Sequence, residues 1–148
     1  MPDLTFRVHA ESESPSRVRV KARSFTFLVD EPPELGGDDR GPNPVETLLG
    51  ALAGCLNVVA HLVAKEHGIA ISNLQIEISG PLNPARLFNQ PTSDPAGFKE
   101  VNVVLRFSSS ASREALDRWL RDVESRCPVS DNLNRATPLH LSWVNVSS

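Results

Sequence analysis

Two thiols are the residues best suited to chemistry in this sequence: Cys55 and Cys127, 72 positions apart. Cys127 stands directly before Pro128. If Pro128 is a first helical residue, Cys127 is the N-cap, a place ordinarily taken by Ser, Thr, Asp or Asn. A thiol there feels unpaired amide N–H groups and the positive end of the helix dipole, and Arg126 adds a positive charge. Each favours thiolate, so the pattern predicts a lowered pKa at Cys127. A chance cysteine at a turn is the alternative. Cys55 lies within "GPNPVETLLGALAGCLNVVA", residues 41 to 60. It is in register with Leu48, Leu52, Val59 and Leu62, as an ordinary core residue would be. The alternative is a reactive thiol in a dry pocket. No C-x-x-C occurs and no Cys/His pair has zinc-ligand spacing, so no metal site is expected.

Other candidates are fewer. Glu46 lies nine residues before Cys55, about 13 Å of helical rise and roughly half a turn away. The two cannot touch along one straight helix, so Glu46 would act on a thiol only through an intermediary such as an arginine, or across a dimer. Arg17, Arg19, Lys21 and Arg23 form a basic stripe, either a solvated strand face or the source of an arginine over a thiolate. Arg40 is a further arginine candidate. His9, His61, His67 and His140 read as structural or solvent-facing, and Trp119 and Trp143 as core.

The positioning elements follow from periodicity. Residues 4 to 10 and 17 to 29 read as strands, with "SESPS" as the turn between them. "DEPPELGGDDRGPNP" is a loop. A long helix starts with Asn43 as N-cap, Pro44 first and Glu46 third, a capping-box arrangement, and runs to about His67 with Gly68 as its stop. "NLQIEISG" and "KEVNVVLRFS" are strands, separated by a proline-rich loop over 81–98. "SREALDRWLRDVES" is an amphipathic helix with Leu116, Trp119, Leu120 and Val123 on one face. "RCPVSDNLNRA" is a short helix and "PLHLSWVNV" a last strand. The pattern predicts an α+β fold with mostly antiparallel sheet. Between Val45 and Ala64 only Glu46, Thr47, Asn57 and His61 are polar. A helix apolar nearly all round needs cover on every side, and a second copy is the simplest cover, so a homodimer is expected.

Composition sets the outer bounds. At 148 residues, 40% hydrophobic and 22% charged, the chain suits one soluble domain over 1–148. A net charge of -3 suggests neither nucleic acid nor an anionic membrane as partner. No signal-peptide pattern and no run of about 18 uninterrupted apolar residues is seen, which points to a cytoplasmic protein without a membrane span. Two cysteines are too few for a disulfide scaffold.

Taken together, "GPNPVETLLGALAGC" and "CPVSDNL", with "DEPPELGG" upstream, resemble the OsmC/Ohr family, on its broad OsmC-like branch. The resemblance runs from about Phe25 to Leu133. It implies an OsmC-like fold, an intertwined homodimer whose sheets wrap long central helices. It implies a thiol-dependent peroxidase that reduces organic hydroperoxides, with some members also reducing hydrogen peroxide, and it implies no cofactor. By resemblance Cys55 is the peroxidatic cysteine and Cys127 the resolving one, reversing their local ranking. The reductant would be an external dithiol, which in the Ohr branch is a lipoylated protein. The family's glutamate lies ten positions before the first cysteine; here that is Val45, and Glu46 takes its place at nine, about 100° around the helix. The family's arginine comes from the N-terminal strand region, where Arg23 is the choice. A small-molecule binder or thiol sensor of the same fold is the alternative function, and a structural dimer with inert thiols a third.

Overall fold

Backbone pairing and burial divide the computed structural model, which describes residues 1–147, into two compact units whose boundary, between Ala51 and Leu52, falls inside one helix. In the N-terminal unit, β1 (His9–Ser12), β2 (Val18–Ala22) and β3 (Phe25–Val29) form an antiparallel meander. The alternation of β2 is as the sequence predicts, with Val18, Val20 and Ala22 turned partly inward and Arg19 and Lys21 exposed. The expected single run over 17–29 is two strands. Ala22 pairs with Phe25, so Arg23 and Ser24 form the hairpin turn.

The loop after β3 is held by Asp30, which is fully buried. Its carboxylate accepts from Ser16 Oγ at 2.8 Å, from the Glu31 amide at 2.8 Å and from the Arg40 amide at 3.1 Å. Burial acts to raise the Asp30 pKa, but those hydrogen bonds outweigh it and hold the carboxyl below its ordinary 3.8. Gly37 approaches the Glu31 carbonyl so closely that any Cβ would collide with it.

Helix α1 (Pro44–His67) crosses the boundary. Its capping box is complete: the Glu46 amide donates to Asn43 Oδ1 at 2.8 Å and the Asn43 amide to Glu46 Oε1 at 2.9 Å. It ends in a Schellman motif. Gly68, at φ +67, donates to the Lys65 carbonyl, and Ile69 donates to that of Ala64. By length and composition α1 would also pass for a membrane span. Its row of Leu52, Leu56, Val59, Ala60, Val63 and Ala64 is buried, as in a core helix. Leu48, Val58 and Leu62 on the same helix are exposed.

The second unit adds β4 (Ser72–Ser79) antiparallel to β5 (Asn102–Ser108), then α2 (Arg113–Arg126) and α3 (Pro128–Asn134). Leu74, Ile76, Ile78, Leu105 and Phe107 turn toward the core. The strand register slips between Ser72 and Gln75, where Asn73 takes φ +54. The loop over 81–98 has neither helix nor named strand, but Asp94 braces it, accepting from Asn83 at 2.8 Å and pairing with Lys99 at 2.9 Å. The fold is α+β with antiparallel sheets, as expected. Two strand expectations fail. The first strand begins at His9 rather than residue 4, and "PLHLSWVNV" is outside any strand. A strand requires a neighbour for its N–H and C=O groups, and neither segment has a ladder partner among the described residues. Trp143 is accordingly 86% exposed and not a core residue, whereas Trp119 is buried.

Candidate functional site

Helix α2 starts at Ser112, whose side chain accepts from the Ala115 amide at 3.2 Å. Its inner row, Leu116, Trp119 and Val123, repeats at helical spacing and continues to Cys127. Trp119 anchors α2 to α1: its indole Nε1–H donates to the Ala60 carbonyl at 2.9 Å, a buried bond. Phe107 packs edge-on against the indole, ring centroids 5.1 Å apart. Pro128 then disfavours helical backbone at Cys127, which is extended at φ -79, ψ 112. Cys127 is therefore both the C-cap of α2 and the N-cap of α3, accepting from the Ser130 amide at 3.5 Å.

This brings the two cysteines together. Cys127 Sγ donates to Cys55 Sγ at 3.0 Å. Both are free thiols; Cys55 is half-buried and Cys127 fully buried. The expected N-cap is present at Cys127, but the lowered pKa is not. Burial pushes the Cys127 thiol above its ordinary 9.0, the hydrogen bond to Cys55 adds to that, and the Ser130 amide offsets it only in part. Arg126, expected to supply positive charge to this sulfur, has its guanidinium on carboxylates. Nη2 donates to Glu66 Oε1 at 3.1 Å, and Nη1 donates to Glu66 Oε2 and, at 3.2 Å, to Asp122 Oδ2. The guanidinium holds the Glu66 carboxyl below its ordinary 4.5.

Glu46 and Arg23 belong to the N-terminal unit. Glu46 serves the capping box through Oε1. Arg23 occupies the hairpin turn at φ +56, a backbone region uncommon for a non-glycine residue, with its guanidinium carbon 5.0 Å from the centre of the Phe25 ring. The rest of the basic stripe is partly engaged. Glu13 bonds Arg17 at 3.0 Å and Arg19 at 2.8 Å, and Arg17 Nη1 lies 3.8 Å from Asp30. Among the described residues no three His, Cys, Asp or Glu side chains converge as metal ligands. The cluster of Glu66, His67, Asp122 and Arg126 is absent from the sequence reading, although the i,i+4 spacing of Asp122 and Arg126 is one signal of it.

Comparison with known proteins places these features. Residues 36–142 match the family described as OsmC-like protein. That span crosses the boundary between the two units. The chain is 25% identical over 145 residues to a protein named hydroperoxide reductase from Mycoplasma pneumoniae, covering 98% of this chain and 97% of that one. It is also 25% identical over 132 residues to a protein of the same name from Mycoplasma genitalium, covering 89% of each. The crystal structure of an OsmC like protein from Mycoplasma pneumoniae shares the fold, with a TM-score of 0.78, 24% identity and 91% of each chain covered.

Proposed function

The chain belongs to the OsmC-like protein family, and from that membership we propose that it is a thiol-dependent peroxidase reducing organic hydroperoxides. The observation that carries the reading is the pair of free thiols 3.0 Å apart, one partly reachable and one buried behind it. Relatives named hydroperoxide reductase support a peroxide-directed redox role.

In this reading Cys55, the reachable sulfur, attacks the outer peroxide oxygen as thiolate. The O–O bond breaks, the alkoxide takes up a proton and leaves as the alcohol, and Cys55 retains the oxygen as a sulfenic acid. Cys127 then attacks the Cys55 sulfur. The S–O bond breaks, hydroxide departs with the Cys127 proton as water, and the disulfide forms. An external dithiol attacks the disulfide, is itself oxidised to a disulfide and restores both thiols. Cys127 suits the second step because burial keeps it from meeting peroxide directly and its sulfur stands 3.0 Å from that of Cys55.

Arg23 and Glu46 are proposed as the activating arginine and its orienting carboxylate. The family resemblance supports this; the left-handed φ of Arg23 belongs to its two-residue hairpin turn. We further propose a homodimer as the working unit. Its support is the exposed Leu48, Val58 and Leu62 on α1 and the exposed Leu139, Leu141 and Trp143 near the C-terminus. Peroxide consumption with cumene hydroperoxide and dihydrolipoamide tests the reading. Turnover is expected in the wild type and is expected to vanish in Cys55→Ser. A wild-type rate no higher than that of dihydrolipoamide alone would overturn it.

A further inference from the structure

Arg126 and Cys127 are adjacent in sequence, yet they engage α1 at positions eleven residues apart. Cys127 meets Cys55, while Arg126 grips Glu66 with both arms of its guanidinium. Eleven residues of α-helix rise about 16 Å. Neighbouring side chains thus tie the end of α2 to two well-separated points on α1. The grip extends further, because Asp122 Oδ2 accepts from Arg126 at 3.2 Å and lies 3.1 Å from His67 Nε2. Two residues of α1 and two of α2 therefore form one polar cluster at the C-terminal ends of both helices.

Cys127 also accepts from the Ser130 amide at 3.5 Å and, through its carbonyl, from the Asp131 amide at 2.9 Å, but both donors belong to α3 and neither ties Cys127 to α1. The apolar contacts of Trp119 and Val123 pack α2 closely against α1 and limit its wander, but they are non-directional and do not by themselves orient its last turn. The Trp119 bond to Ala60 is directional but lies two turns back along α2. Beyond Cys127, α3 has no buried residue. A forked guanidinium–carboxylate contact at the last residue of α2 is directional and ties that residue to α1.

We infer that Arg126, through Glu66 and Asp122, is a positioning residue that holds the Cys127 sulfur against Cys55 and so sets the effective concentration of one thiol at the other. The kinetic consequence, fast closure of the Cys55 sulfenic acid to the disulfide, rests on the peroxidase reading; the equilibrium consequence does not. A partly exposed ion pair commonly adds little to global stability. Its effect here is on the geometry of a reacting pair, where small displacements are felt strongly.

The test equilibrates wild type, Arg126→Ala, Arg126→Lys and Glu66→Gln with reduced and oxidised glutathione and measures the Cys55–Cys127 disulfide by mass spectrometry. In that reaction oxidised glutathione takes two electrons from the protein dithiol and leaves as two reduced molecules. Arg126→Ala is expected to lower the constant for disulfide formation about fivefold, Glu66→Gln to lower it less, and Arg126→Lys to recover part of the loss. An unchanged constant in Arg126→Ala overturns the inference. Should that variant fail to fold by circular dichroism, an unchanged constant in Glu66→Gln does so. A second arm adds cumene hydroperoxide and traps sulfenic acid with dimedone. Sulfenic acid is expected to form at the wild-type rate in Arg126→Ala and to persist longer. Equal slowing of both steps counts against positioning. If the wild type forms no sulfenic acid, the peroxidase reading fails, and the glutathione constants still decide the role of Arg126.

Discussion

The N-terminal unit and the unit that begins at Leu52 hold their shapes by opposite means. Before the boundary only Val29 and Asp30 are buried, and Leu4, Phe6, Val8, Phe25 and Phe27 are exposed. There the backbone ladder and one carboxylate set the structure: Asp30 binds a hydroxyl and two amides, drawing the loop after β3 back to the turn between β1 and β2. Beyond the boundary an apolar cluster of Leu52, Leu56, Val63, Trp119 and Val123 does that work, and both thiols lie against it. The contrast explains where a pair that must meet at 3.0 Å is found. Close packing limits how far a sulfur can wander, and a surface held chiefly by hydrogen bonds limits it less. It also explains why the first unit, with so many exposed apolar side chains, is the part most in need of cover from another surface.

The contrast can be broken most directly at its apolar end. Trp119→Ala removes the largest buried side chain and is expected to lower the unfolding free energy in urea by about 3–5 kcal/mol. Trp119→Phe keeps a ring but leaves the Ala60 carbonyl without its indole donor, for an expected loss of about 1–2 kcal/mol. Losses under about 1 kcal/mol in both would erase the distinction between the units.

At the polar end the probe is pH. Asp30 titrates below its ordinary 3.8 in the folded chain, so its stabilisation is fully present above that value. It is lost as pH falls through the folded pKa. Asp30→Asn is therefore expected to lower stability at neutral pH and to flatten the acid side of the stability curve. It should also speed amide exchange at Glu31 and Arg40 by about tenfold or more while leaving Val63 unaltered. Equal acceleration at Val63 would mean that the two units unfold as one.

The ends of α1 give smaller effects. Asn43→Ala removes one half of the capping box and is expected to cost about 1 kcal/mol. Gly68→Ala, at φ +67, is expected to cost a similar amount, about 1 kcal/mol. Glu46→Gln should matter least for stability, within about 0.5 kcal/mol, because glutamine also completes a capping box. A large fall in peroxidase turnover in this variant, at unchanged stability, would separate a catalytic Glu46 from a purely capping one.

The features legible in the sequence are those set by near neighbours. The start and stop of α1 follow from Asn43, Pro44, Glu46 and Gly68, all within a turn of the ends they cap. Cys127 as N-cap follows from Pro128, and the inner face of α2 from Leu116, Trp119 and Val123, whereas Leu120, expected on the same face, is exposed. Distant partners account for what was missed. Nothing near Arg126 reveals that its charge is matched by Glu66, 60 positions earlier, and so is not free to activate Cys127. Burial likewise depends on the whole core, and it overrides the local N-cap argument for a lowered Cys127 pKa. The segment around Trp143 has the alternation of a strand, but alternation does not supply the neighbouring strand that would make it one. The two-residue turn at Arg23 and Ser24 carries no glycine or asparagine to mark it, so two strands read as one.

The central claim is a division of labour: Cys55 meets the peroxide and Cys127 closes on it. Adding one equivalent of cumene hydroperoxide in the presence of dimedone, followed by peptide mass spectrometry, tests this in wild type and in each serine variant. The expected result is a Cys55–Cys127 disulfide in the wild type, a dimedone adduct on Cys55 in Cys127→Ser, and no adduct in Cys55→Ser. An adduct on Cys127 in Cys55→Ser, formed as fast as that on Cys55 in Cys127→Ser, would contradict the assignment.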